Sequence, residues 1–137
     1  MDNQISGFVN GAPRALLRLE GLVLLLATVA LYYHLGQGWK IFAILFLVPD
    51  LSMAFYLFGP RIGALAYNAA HSTIGPLVTI AAGYFALDPL LPSIGLIWLA
   101  HVGFDRALGY GLKYGTAFGD THLGRIGRRK DVKEAVA

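Results

Sequence analysis

Cysteine is missing from this 137-residue chain. Disulfides, thiolate metal sites and cysteine nucleophiles are therefore excluded at the outset. Charge is scarce as well: 14% of residues are Asp, Glu, Lys or Arg, against about 25% in an ordinary soluble domain. The net charge of +3 is too small and too scattered to suit a nucleic-acid partner. No repeat of solenoid period is visible. The first dozen residues, MDNQISGFVNGA, lack the positive start, compact apolar core and cleavage site of a secretory signal. The N-terminus is expected to be retained and the first hydrophobic stretch to be a permanent helix. Apolar side chains are what the chain has in quantity, 56% of residues with a mean hydropathy of +0.59. One domain is expected at this length, with lipid, the bilayer, as its main solvent.

A helix needs roughly 20 mostly apolar residues to cross about 30 Å of hydrocarbon. Four stretches qualify: Ala15 to Leu35, Trp39 to Phe58, Ile62 to Leu87 and Leu90 to Tyr110. The connections GQG, GPR and DP are short and built of turn formers, so neighbouring helices are expected to run antiparallel. The expected fold class is all-α, a polytopic bundle of four transmembrane helices over residues 15–110. An N-terminal cytoplasmic segment, 1–14, precedes it, and a cytoplasmic juxtamembrane cap and basic tail, 111–137, follow. Four crossings put both termini on one side. Arg14, Arg18, Arg61, Arg106, Lys113 and the basic run from Arg125 to Lys133 fall there, whereas the other side has only Lys40. The positive-inside rule makes the termini cytoplasmic. The 17 glycines suit close helix approach, and a homo-oligomer is compatible with such faces. Pro49 and Pro76 each remove a backbone donor inside a span, and Pro49 is expected to free backbone groups beside Asp50.

The ionisable residues inside the spans share a depth. At 1.5 Å per residue, Glu20 and Asp105 lie roughly 7 Å from the cytoplasmic ends, Asp50 roughly 12 Å, and His71 and His101 roughly 14 Å. The outer half of each span has almost none. Charges at such depth cost about 2.5–3.5 kcal/mol each on insertion scales, so their segregation to one layer predicts that they meet in a polar pocket. His101 and Asp105, four apart, share a helix face, as do Tyr67 and His71, with Asn68 beside them.

Three readings of that pocket follow. In the first, Asp50, His71, His101 and Asp105 hold a divalent metal, zinc, iron or manganese, which activates water against a lipid-like or amphiphilic small molecule. Glu20, Asp50 and Asp105 are then the candidate catalytic carboxylates. Tyr67, Asn68, Arg106, Lys113 and His122 are the candidate substrate-binding residues. In the second, Glu20 with Asp50, His71 and His101 forms a proton relay in a transporter. In the third, Arg106 pairs with Asp105, Asp50 or Glu20 and the histidines bond to Asn68 or Tyr67, in an ion-paired, hydrogen-bonded core without catalysis. The stretch GLKYGTAFGDTHLGRIG, 111–127, is too apolar for a free tail and too polar for a span. It is expected to cap the pocket, with Asp120, Thr121 and His122 reaching the polar layer, or to anchor on anionic lipid through Lys113 and Arg125.

A chain of this size with an early glutamate is superficially similar to the small multidrug-resistance transporters, which have a shorter tail and no such histidine and aspartate cluster. The segments PDLSMAFYLFGPRIGALAYNAAH (49–71), HVGFDRALGYGLKY (101–114) and F-x-D-T-H-L-G (118–124) carry a closer likeness. With them the chain resembles the bacterial small membrane proteins grouped as domain-of-unknown-function family 4260. The resemblance implies a multi-pass protein of the bacterial inner membrane. It implies no assigned activity and no established catalytic residues.

Overall fold

The computed structural model of the protein describes residues 8–126. Residues 1–7 of the expected N-terminal segment and the tail from 127 on lie outside the described residues. The first helix, α1 (Gly11–Leu35), has its one proline, Pro13, in the opening turn, where a missing N–H costs nothing. It ends at Gly36, whose φ of 67° is the left-handed conformation glycine adopts readily, with its N–H on the Tyr33 carbonyl. Tyr32 then closes the turn by donating to the Gly38 carbonyl at 2.7 Å.

The second stretch changes helix type midway. It begins as α2 (Trp39–Phe46) and continues as a 3-10 helix (Val48–Phe58). Pro49 cannot donate, and Asp50 N–H turns to the Leu47 carbonyl at 3.2 Å instead of that of Phe46. An eleven-residue 3-10 run is long for that geometry. Gly59 and Pro60 then start α3 (Pro60–His71), which packs back along the 3-10 helix as a tight helical hairpin.

The third stretch, expected as one helix, is two: α3 and α4 (Ile74–Ala86), separated by Ser72 and Thr73. Pro76 falls in the first turn of α4, so its absent donor displaces the break to just after His71. Trp98 Nε1 caps the freed end of α3 on the Ala70 carbonyl at 2.5 Å.

The last helix, α5 (Leu90–Leu108), is continuous and central. It packs on α1, α4 and α2. The α1 contact is glycine on glycine: a Cβ on Gly103 would lie 2.8 Å from the Gly21 carbonyl oxygen. The buried core gathers Tyr32, Leu96 and Ile97, with Phe42, Phe46 and Ile80 against it.

Among the described residues the chain is all-α apart from one small hairpin. Two described stretches, Gly11–Leu35 and Trp39–Phe58, are long and apolar enough to cross a membrane. Leu57, Phe85 and Leu87 are more than four-fifths exposed, a surface suited to lipid. Beyond α5, β1 (Asp120–Thr121) pairs antiparallel with β2 (Gly124–Arg125), and Lys113 bridges to Thr121. Val9 adds its N–H to the His122 carbonyl at 3.0 Å, tying the start of the described chain to this hairpin.

Candidate metal centre

Of the five ionisable side chains expected to meet, Asp50, His71, His101 and Asp105 do, and Glu20 does not. Asp50 stands just past the change of helix type, His71 is the last residue of α3, and His101 and Asp105 lie one turn apart on α5. Both helix breaks therefore deliver a donor to the same place, and the unbroken helix supplies two.

One donor atom from each residue lies within 4.8 Å of all the others. His71 Nε2 is 3.1 Å from His101 Nε2, 3.4 Å from Asp50 Oδ1 and 3.3 Å from Asp105 Oδ2. His101 Nε2 is 3.4 Å from each of the same two oxygens. Charge-assisted hydrogen bonds draw nitrogen and oxygen to about 2.7–2.9 Å. Donors held 2.0–2.2 Å from a tetrahedral ion stand roughly 3.3–3.6 Å apart. Four of the five separations are those of ligands around a common point, and the His71–His101 Nε2 pair at 3.1 Å is also within hydrogen-bond reach.

The rings are oriented for it. His71 Nδ1 lies 2.9 Å from the Tyr67 carbonyl, which can only accept. Nδ1 therefore carries the proton, and on the neutral ring Nε2 turns its lone pair to the centre. Tyr67 stacks on the His71 ring at 3.7 Å and reaches Asp105 Oδ2 with its hydroxyl at 3.4 Å. The buried His101 Nδ1 faces the Phe46 backbone, short of a well-formed hydrogen bond. Phe46 is also the residue that lost its helical partner at the Pro49 break, and its ring meets His101 edge-on at 5.1 Å. Both histidines are buried, whereas the Asp50 side chain is 39% exposed.

Asp50 and Asp105 open onto a cavity of about 360 Å3 whose walls include Tyr67, Phe104, Lys113 and Phe118. Lys113 is 5% exposed. Its Nζ donates to the Phe118 carbonyl at 2.7 Å and lies 3.6 Å over the Phe118 ring and 4.6 Å over that of Tyr67. Burial lowers its pKa, against the opposing pull of the Asp105 charge.

Other candidates lie elsewhere. Glu20 is exposed on α1, in a shallow apolar groove with Leu16 and Val23, and is not among the four. Equal depth did not place it at the centre because its neighbour Gly21, about 100° round the helix, faces α5. Arg106 meets neither Glu20 nor Asp50 in an ion pair among the described residues. Its Nη2 instead makes a long contact, 3.5 Å, with the His71 carbonyl. Asn68 spans the Lys113 backbone, donating to its carbonyl at 2.8 Å and accepting from its N–H at 2.6 Å. His122 accepts the Leu112 N–H on Nδ1 at 2.8 Å, and burial followed by the nearby Arg106 charge lowers its pKa. Asp120 and Thr121 serve the hairpin itself, Asp120 through Thr116 and Arg125, and Thr121 through the Gly124 carbonyl. Trp98 and Phe46 support the site without having stood out in the sequence as anything but apolar residues, and Phe118, which opens the F-x-D-T-H-L-G segment, lines its cavity.

The family model described as Domain of unknown function (DUF4260) matches residues 14–126, a range holding all four donors, both helix breaks and the hairpin. No characterised protein and no solved structure matches the chain. With its polar centre and most of its length inside that one match, the chain belongs to the DUF4260 family.

Proposed function

We propose that this chain is a multi-pass protein of the bacterial inner membrane that binds one divalent transition metal through Asp50, His71, His101 and Asp105. Held there, such an ion would supply an activated water for hydrolysis of a lipid-like or amphiphilic substrate. The observation that carries the reading is the set of five donor-to-donor distances, all 3.1–3.4 Å. Two imidazoles and two carboxylates suit zinc, iron or manganese. A divalent ion would also offset two carboxylates that are otherwise costly at this depth.

Four crossings, with both ends in the cytoplasm, fit the chain best. α1 makes the first and α2 with the 3-10 helix the second. α3 with α4 makes the third, its break protected by Trp98. α5 makes the fourth, its polar residues turned inward. Non-helical backbone is tolerated within a bilayer where protein covers it, and Ser72 and Thr73 are half-buried at this break. Asp50, exposed to the cavity, is the ligand placed to share the ion with water or substrate. Tyr67 and Lys113 on the cavity wall can steady developing negative charge.

Elemental analysis of protein purified in mild detergent tests the binding. The unaltered chain is expected to carry about one equivalent of metal, and His71→Ala and His101→Ala to lose it. No stoichiometric metal in the unaltered chain, even after incubation with zinc, iron or manganese, would remove the reading.

A transporter is the second reading, favoured by the paired helix interruptions beside the centre, a construction used at transporter ion sites. It predicts substrate-driven proton or metal movement in proteoliposomes that Asp50→Asn abolishes. The exposed position of Glu20 gives a relay through that residue no support.

A further inference from the structure

The cavity beside the centre has a charge to be satisfied. Asp50 and Asp105 are its two carboxylates and Lys113 is a buried cation on its wall. A divalent ion bound as proposed above would be neutralised by the two aspartates. Lys113 would then remain as a positive charge whose Nζ meets one neutral carbonyl and two ring faces. No carboxylate lies within ion-pair distance of it among the described residues. A buried charge without a counter-charge is costly. The neighbouring space, about 360 Å3, falls within the range of about 300–1,000 Å3 seen for small-molecule sites. Phe104, Phe118 and Met53 make part of its wall apolar.

We infer that the cavity takes a small monoanion with an apolar body, its carboxylate or phosphate-ester group set between the metal and Lys113 and its body against Phe104 and Phe118. This inference rests on the metal reading. The negative group supplies the counter-charge, while the aromatic wall excludes water and strengthens the attraction. The Phe118 carbonyl and the Tyr67 ring hold the ammonium in place before the ligand arrives, which limits the entropy lost on binding. The anion could come from a soluble molecule or from a lipid headgroup at the membrane surface, since the recognised chemistry is the same.

Cobalt(II) substituted for the native metal gives a visible spectrum sensitive to a new ligand. Benzoate and its uncharged isostere benzamide are titrated into the cobalt-loaded, full-length protein in detergent. Benzoate is expected to shift the spectrum and bind at least about tenfold more tightly than benzamide. Lys113→Met should keep the cobalt spectrum and weaken benzoate by about 10- to 100-fold, and Lys113→Arg should restore part of the loss. Phosphatidic acid and phosphatidylcholine nanodiscs identify the source: a shift with phosphatidic acid alone, competing with benzoate, marks a lipid headgroup, and its absence beside a benzoate response marks a soluble anion.

Failure of cobalt to bind at all would count against the metal reading. Cobalt that binds normally while benzoate, benzamide and phosphatidic acid leave its spectrum alike would overturn the anion site only. Unchanged benzoate affinity in Lys113→Met would overturn it too. Should Lys113→Met fail to load cobalt, the benzoate-to-benzamide ratio of the unaltered protein decides, and a ratio near one overturns the inference.

Discussion

Asn68 replaces a strand edge with one side chain, offering an acceptor and a donor to the two backbone groups of Lys113. Asn68→Ala strands both groups in a half-buried place. A loss of about 1–3 kcal/mol is expected, read as a lower melting temperature in detergent, with metal content kept. His122 yields a pH dependence. Its pKa is lowered in the fold, so the folded chain keeps the ring neutral while the unfolded chain protonates it near the ordinary histidine value, about 6.5. Its contribution is therefore fully present above that pH and is lost as the pH falls toward the lowered folded value. Melting temperatures measured from pH 7.5 to 5 should fall more steeply for the unaltered chain than for His122→Gln. Equal slopes would show that the ring does not titrate differently on unfolding. At this scale the four donors were legible because burial makes deep ionisable groups seek one another. Depth alone could not fix which way Glu20 turned, since rotation about a helix axis changes a neighbour completely while hardly changing its depth.

The helices explain why broken elements carry the chemistry. Pro49 announces the change from α2 to the 3-10 helix, and Asp50 takes its position from that change. Pro49→Ala lets the α-helical pattern continue through Asp50. Metal affinity is expected to drop about 10- to 100-fold, as for other losses of ligand support, by competition with a chelator of known strength. An unchanged affinity would separate the break from the site. Where α3 and α5 meet their neighbours, small residues decide. Gly103→Ala sets a Cβ 2.8 Å from both the Gly21 carbonyl and the Leu25 nitrogen, backbone atoms that cannot swing aside. A destabilisation of about 1–3 kcal/mol is expected by thermal unfolding. The sequence marked two prolines but not where the second would act. Pro76 tolerates its place in the opening turn of α4, and the real discontinuity falls before it, at Ser72 and Thr73. The hairpin after α5 was equally hidden, because its strands are two residues long and owe their form to Asn68, Thr121 and His122 rather than to a period.

For the whole molecule, the absence of native cysteine makes the topology open to direct measurement. In bacterial cells, Gln37→Cys and Asp88→Cys should react with a membrane-impermeant maleimide from outside the inner membrane. Arg61→Cys should react only after the membrane is opened. Labelling of Arg61→Cys from outside would rule out the four-crossing arrangement.

The helical hairpin formed by the 3-10 helix and α3 packs chiefly on itself, whereas α5 packs on α1, α4 and α2. Asp50 and His71 ride on the hairpin, and His101 and Asp105 ride on α5. An ion held by all four would add to the bonds that already join the hairpin to α5, from Trp98 to Ala70 and from Tyr67 to Asp105, doing in this thiol-free chain what a cross-link does elsewhere. If the proposed ion binds, chelation should make residues 48–71 more sensitive to proteases than in the metal-loaded protein, read by limited proteolysis. A cell short of the metal would then clear the idle copies and keep the loaded ones.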